Sequence, residues 1–118
     1  MPGKSEVMQP VHITEHGYNL EVIIYDNDGT VKDVSSYTAF RFIVWDITDN
    51  TTAVVDETMT KVNTGSDGKV SFVVGDTDFD ALTTDGTVTY HYTVEYTKSG
   101  VKERTMQAEI VFRRGGPT

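Results

Sequence analysis

Asp76, Asp78 and Asp80 alternate along the chain, and carboxylates so spaced offer the hard oxygen ligands that calcium takes. An EF-hand loop needs glycine directly after its third aspartate and a bidentate glutamate further on; Ala81 and Thr87 occupy those places, so the motif fails. Asp26 and Asp28 could join from another loop, but aspartate is strongly favoured in turns and solvated turn acids are the preferred reading. The histidines are His12, His16 and His91. The spacing of His12 and His16 brings two side chains together only on a helix, whereas their segment reads as strand and turn. His91 lies on the polar face of its strand beside Thr89 and Thr93, with no third ligand suggested, and reads as a surface imidazole. Cysteine is absent, which excludes a thiolate zinc site, a disulfide and a cysteine nucleophile together. None of Ser35, Ser36, Ser66, Ser71 and Ser99 sits in a Gly-x-Ser-x-Gly elbow. Gly65-Ser66-Asp67-Gly68 lacks the lysine step and following helix of a phosphate loop. The expectation is a protein that is not an enzyme and holds no metal or cofactor.

Tyr90, Tyr92 and Tyr96 could stack sugars. They share a face with Val88 and Val94, so core packing is the preferred reading. These residues belong to the clearest element in the chain. From Thr87 to Thr97 apolar and polar residues alternate strictly, the mark of a half-buried antiparallel strand. Arg104 to Arg113 continues the pattern, with Met106, Ala108, Ile110 and Phe112 expected inward and Thr105, Gln107 and Glu109 outward. Lys98-Ser99-Gly100 joins the two as a hairpin turn.

Earlier segments repeat the theme. Val7 to Thr14 reads as a first strand, and Tyr18 to Asp26 as a second with Leu20, Val22 and Ile24 facing the core. Asp26-Asn27-Asp28-Gly29 then turns the chain. Thr38 to Ile47 carries bulk on both faces and is expected in the centre of a sheet. Ala53 to Val62 and Lys69 to Gly75 follow, separated by a turn-rich stretch, and Asp76 to Leu82 suits one short helical turn. About seven strands spaced by turns predict an all-β antiparallel sandwich over residues 7–113, with flexible ends at 1–6 and 114–118. Residues 1–9 offer little to a core, and an alternative is that one arm orders against a neighbouring subunit.

A chain of 118 residues is one domain's worth and can bury a core without staples. Its formal charge of −8 disfavours nucleic acid and anionic membrane as partners, since both call for clustered positive charge. No apolar run approaches a membrane span, and the first residues lack the apolar middle of a signal peptide, so no export signal is expected.

Asp80 to Val94 resembles an immunoglobulin-like domain around its sixth strand: Asp85-Gly86 leads into Tyr90 and Tyr92, with Tyr92 near the place of an immunoglobulin cysteine. Trp45 is a loose match to the buried tryptophan. A second likeness covers roughly residues 18–112. Leu20 to Gly29, then Val31 to Val44 with Phe40 and Phe42, is similar to the N-terminal domain of tailed-phage baseplate upper proteins. Gly68-Lys69-Val70-Ser71-Phe72 and the tyrosine-rich strand fit the later part of that pattern. The resemblance implies a structural protein of the virion, decorating the capsid or connecting parts of tail or baseplate, with other virion proteins or copies of itself as partners. The alternative from a different class is a carbohydrate-binding or host-surface adhesion module. Ile23, Tyr25, Ile43, Trp45 and Val73 fall on outward faces, more apolar surface than a solvated face keeps, and are the candidate interaction surface; the competing reading is that some of them cover the ends of the sandwich or pack under Met1 to Val11.

Overall fold

The computed structural model describes residues 4–7, 11–12, 17–46, 51–75 and 87–113. These are all-β. The strands are β1 (Lys4–Val7), β2 (Val11–His12), β3 (Asn19–Tyr25), β4 (Thr38–Trp45), β5 (Ala53–Lys61), β6 (Lys69–Val73), β7 (Thr87–Lys98), β8 (Val101–Arg104) and β9 (Ala108–Arg113). Their order is β1-β3-β6-β5-β4-β7-β9-β2, with β8 also on β7. All pairings are antiparallel except β2 with β9. The ribbon curls into a sandwich because β5 changes partner along its length, pairing with β4 up to Met59 and with β6 at Thr60 and Lys61. The first two strands divide likewise, β1 joining β3 in one layer and β2 joining β9 in the other.

Between the layers, Leu20, Val22 and Ile24 of β3 and Val70 and Phe72 of β6 meet Phe40, Phe42 and Val44 of β4 and Tyr90, Tyr92, Val94 and Tyr96 of β7. The Phe42 ring lies 5.5 Å from that of Phe72 and 5.4 Å from that of Tyr92, so one side chain ties three strands across both layers. The tyrosine stripe is core, and β4 is central between β5 and β7, as the alternation and the two-sided bulk require. The Tyr92 hydroxyl crosses to the other layer and accepts a hydrogen bond from Ser5 Oγ at 2.9 Å. That bond supplies the polar partner a buried phenol needs, and burial pushes its pKa up to about 12.

Two expectations are corrected. Lys4 to Glu6, placed in a flexible arm of residues 1–6, pair with Tyr25 to Ile23, and the strand expected over Val7 to Thr14 is two short ones. The sequence signal there is faint because only Ser5 and Val7 turn inward, and one of these is polar. The strand expected from Arg104 to Arg113 is broken. Glu95 stands opposite Arg104 but Tyr92 opposite Ala108, so three residues of the later segment span two of β7, which is a bulge. One extra residue reverses which parity faces inward. Thr105 is therefore buried at 3% exposure and Met106 is exposed at 47%, the opposite of the uninterrupted alternation. The acids Asp76, Asp78 and Asp80, the helical turn, Asp85-Gly86, His16 and residues 114–118 lie outside the described residues.

Turns follow the local chemistry. Lys98 and Val101 close a two-residue turn in which Ser99 (φ 52) and Gly100 (φ 80) both take left-handed backbone, the combination that matches strand twist in a tight hairpin. Asp26 to Thr30 turns on the Gly29 amide donating to Asp26 O at 3.0 Å. Gly68 is more constrained: its φ is +73 and an added Cβ would sit 2.8 Å from both Ile24 O and Lys32 O.

Gly68→Ala is expected to cost about 2–3 kcal/mol in urea unfolding, against about 1 kcal/mol for Gly100→Ala, whose Cβ would meet nothing within 4 Å. Tyr92 contributes to the alkaline limit, as does Tyr96, whose pKa burial also raises. The Tyr92 pKa is raised above the ordinary 10.0, so its contribution is complete below pH 10 and is lost as pH rises towards about 12. Tyr92→Phe should lower stability by about 1 kcal/mol at neutral pH and flatten the decline over that alkaline window, both read from urea midpoints.

Candidate functional site

The chemistry on this molecule gathers on the outer face of the second layer. β4 and β7 run antiparallel with Arg41 opposite Glu95, and β7 and β8 with Glu95 opposite Arg104. Residues in direct cross-strand register have side chains within reach on one face. Glu95 accepts from Arg41 at 3.2 Å through Oε1 and from Arg104 at 3.0 Å through Oε2, with Lys102 Nζ at 3.9 Å. Arg41 also grips Asp56 of β5 with both arms of its fork. Arg104 lies 5.2 Å above the Trp45 ring, and the indole N–H donates to Thr93 Oγ1 at 3.2 Å. Asp56, Arg41, Glu95 and Arg104 thus form a row of alternating charge, roofed onto an indole.

Burial ranks the contacts. Glu95 is 5% exposed, while Arg41, Arg104, Asp56 and Lys102 reach solvent. A carboxylate withdrawn from water must be paired, so the two guanidiniums are its replacement solvent. The Arg41–Asp56 pair is half-exposed and contributes little by itself.

A second cluster closes the end of the sandwich near the hairpin. Tyr37 and Tyr96 pack edge to face at 5.0 Å, and Lys32 and Lys98 stand 5.2 and 5.5 Å from the Tyr37 ring. Tyr37 donates to Glu103 at 3.2 Å, and Lys32 to Asp26 at 3.2 Å. Burial works to lower the Lys32 pKa, but the Asp26 carboxylate and the Tyr37 hydroxyl outweigh it and the net shift is upward. The Asp28 carboxyl is held below its ordinary range by the Thr30 amide and hydroxyl. Asp26 and Asp28 are thereby engaged in their own turn.

The five residues of the candidate surface fall on two opposite faces. Ile23, Tyr25 and Val73 lie on the outer face of the β1-β3-β6 layer, where Val73 is 62% exposed, Ile23 and Tyr25 are half-buried, and Tyr25 donates to Glu6 at 3.3 Å. Ile43 and Trp45 lie on the other layer and are only 3% and 7% exposed. Arg104 covers the indole, which accounts for the burial of Trp45 on an outer face. His91 is half-buried with Trp45 and Glu109 as its cross-strand neighbours, and His12 lies in β2. Among the described residues no group of three or more His, Asp or Glu could hold a metal.

The ion row itself is absent from the expectations. Arg41 and Glu95 each stand out as a charge in an apolar strand, but their meeting requires the register between strands far apart in sequence. A shallow cleft of about 220 Å³ between Lys4, Ser5, Met106, Gln107 and Ala108 is likewise a product of the bulge that turns Met106 outward. No helix among the described residues is long and apolar enough to cross a membrane. No protein-family model matches the chain, and a search of curated proteins gave no match.

Glu95→Gln leaves two guanidiniums facing each other across a neutral amide. It is expected to lower stability by about 1–2 kcal/mol, less than a fully buried pair because both arginines reach water. Urea unfolding at low and high NaCl should show that the substitution also changes the salt dependence of stability.

Proposed function

We propose that this domain is a non-enzymatic structural interaction module of a tailed-phage virion, decorating the capsid or joining parts of the tail or baseplate. The supporting observation is the placement of the residues that carry the likeness. Leu20, Val22 and Ile24 of β3 and Phe40, Phe42 and Val44 of β4 face each other across one core, and the connection between them begins with the turn at Asp26 to Gly29 and ends with a second turn in which the Tyr37 amide donates to Val34 O. Its partners on this reading are other virion proteins or copies of itself, with nucleic acid and membrane disfavoured by the −8 charge. Its location is the virion, after synthesis in the host cytoplasm.

The arrangement of chemistry is in keeping with that role. The buried carboxylate is consumed by a charge row that stiffens a sheet face, and the exposed groups sit along strand edges and faces where another protein would meet them. The rival, a carbohydrate-binding module, needs an exposed aromatic platform. The rings of Tyr90, Tyr92 and Tyr96 are buried, and Trp45 lies under Arg104.

Quantitative mass spectrometry of purified particles is the test. On the order of hundreds of copies would assign capsid decoration, and about six to a few tens a tail or baseplate position, following the symmetry of those parts. Absence from the particle would overturn the proposal.

A further inference from the structure

Two strand edges of the charged layer carry no neighbouring strand among the described residues, and their polarity is complementary. Among the described strands, β8 pairs with β7 and no other. The Thr105 amide donates to Val94 O at 2.9 Å, which fixes the phase of that pairing. Backbone groups alternate sides along a strand, so Glu103 and Val101 also turn theirs to β7, while Lys102 and Arg104 turn theirs outward. Carried through β7 and β4, the same alternation aims the backbone of Val55 and Met59 at β4 and that of Asp56 and Thr58 away from it. Val62, of the same parity as Asp56 and Thr58, donates to Lys69 O of β6 at 3.0 Å, in agreement. β6 pairs with β5 only at Thr60 and Lys61, so it does not run along Asp56 and Thr58.

The side chains on these edges continue a pattern. From the β5 edge to the β8 edge the row reads Asp56, Arg41, Glu95, Arg104: negative, positive, negative, positive. It starts on an acid and stops on a base. Asp56 lies diagonal to Arg41, whose register partner is Thr58, so a copy shifted sideways across the sheet and by two residues along it brings its own Asp56 to the end that stops on Arg104. Strand direction agrees. β4 and β8 run one way, β5 and β7 the other, so a shifted copy lays β5 antiparallel to β8 with the same face outward.

We propose that a second copy of this chain docks its β5 edge, antiparallel, against the β8 edge, with Asp56 of one copy opposite Arg104 of the next. The contact rests on the assembly reading for its biological use and on the two edges for its geometry. It is heterologous, leaving each copy one edge for the next, so it builds a ring or a filament. β8 is four residues long, so the ladder is short and its strength depends on the charge pair. Salt therefore weakens it.

Sedimentation velocity of the full chain over a concentration series tests this. Self-association at low salt should weaken roughly tenfold or more in high NaCl. Lys102→Pro removes an outward amide and blocks only the β8 edge; Thr58→Pro blocks only the β5 edge. Each variant alone should be monomeric, and an equal mixture should give a heterodimer and nothing longer. If either proline variant loses its β circular dichroism, Asp56→Lys and Arg104→Asp replace the pair, each self-repelling and the two associating when mixed. A wild type that is monomeric throughout at low salt overturns the proposal, as does a blocked variant that still self-associates. Self-association by a protein missing from purified particles would overturn the virion reading and leave this contact standing; a monomer present in particles would do the reverse.

Discussion

The parity of β7 governs this domain. A strand has two faces and its side chains must alternate between them, so placing Tyr90, Tyr92, Val94 and Tyr96 inside also places His91, Thr93 and Glu95 on the outer face. The inner set builds the core that joins the layers. The outer set includes a carboxylate at a position where both neighbouring strands cover it, and that position demands cations on each side. Arg41 and Arg104 supply them because β4 and β8 meet β7 in the matching register. Core and ion row are therefore two consequences of one alternation.

Both irregularities in the pairings of β7 with β4 and with the segment after β8 fall on the neighbouring strands and not on β7, and a third shift, between β4 and β5 at Val44 and Trp45, does not touch it. β4 shifts register between Thr38 and Arg41, where Ala39 takes a positive φ of 56, and the segment after β8 bulges at Thr105 to Gln107. Bulges raise local twist and re-aim side chains. Here the second one lets Glu103 reach Tyr37 and Arg104 reach Glu95 from β8, while Ile110 and Phe112 still point into the core from β9. The switch is held by Thr105, whose hydroxyl accepts the Val94 amide at 2.9 Å while its own amide donates to Val94 O. A buried hydroxyl thus substitutes for a backbone carbonyl that the bulge displaces.

The outcome is a sandwich with a buried apolar core and a charged outer face on one layer. The layers are joined by rings and by the Ser5–Tyr92 bond instead of a disulfide, consistent with a chain that has no cysteine. A basic edge and an acidic edge lie on opposite sides of one layer, on a domain of strong net negative charge. Such a distribution favours ordered contact through the edges, since like-charged faces repel everywhere else.

Alternation in Thr87 to Thr97, the inward residues of Tyr18 to Asp26, the two-faced bulk of Thr38 to Ile47 and the turns at Asp26 and Lys98 are local properties of the chain. They determined the all-β class, the central strand, most of the core and the hairpin, because a side chain's face follows from its parity and a turn from its own residues. Register is not local. Whether Arg41 meets Glu95, whether Met106 or Thr105 turns inward, and whether Ile43 and Trp45 are covered or exposed all depend on how strands distant in sequence slide against one another. A single-residue slip would exchange each of those answers while leaving every alternation intact. Tertiary structure alone decided them, because cross-strand hydrogen bonding and the fit of the core select one register among several that the local pattern allows.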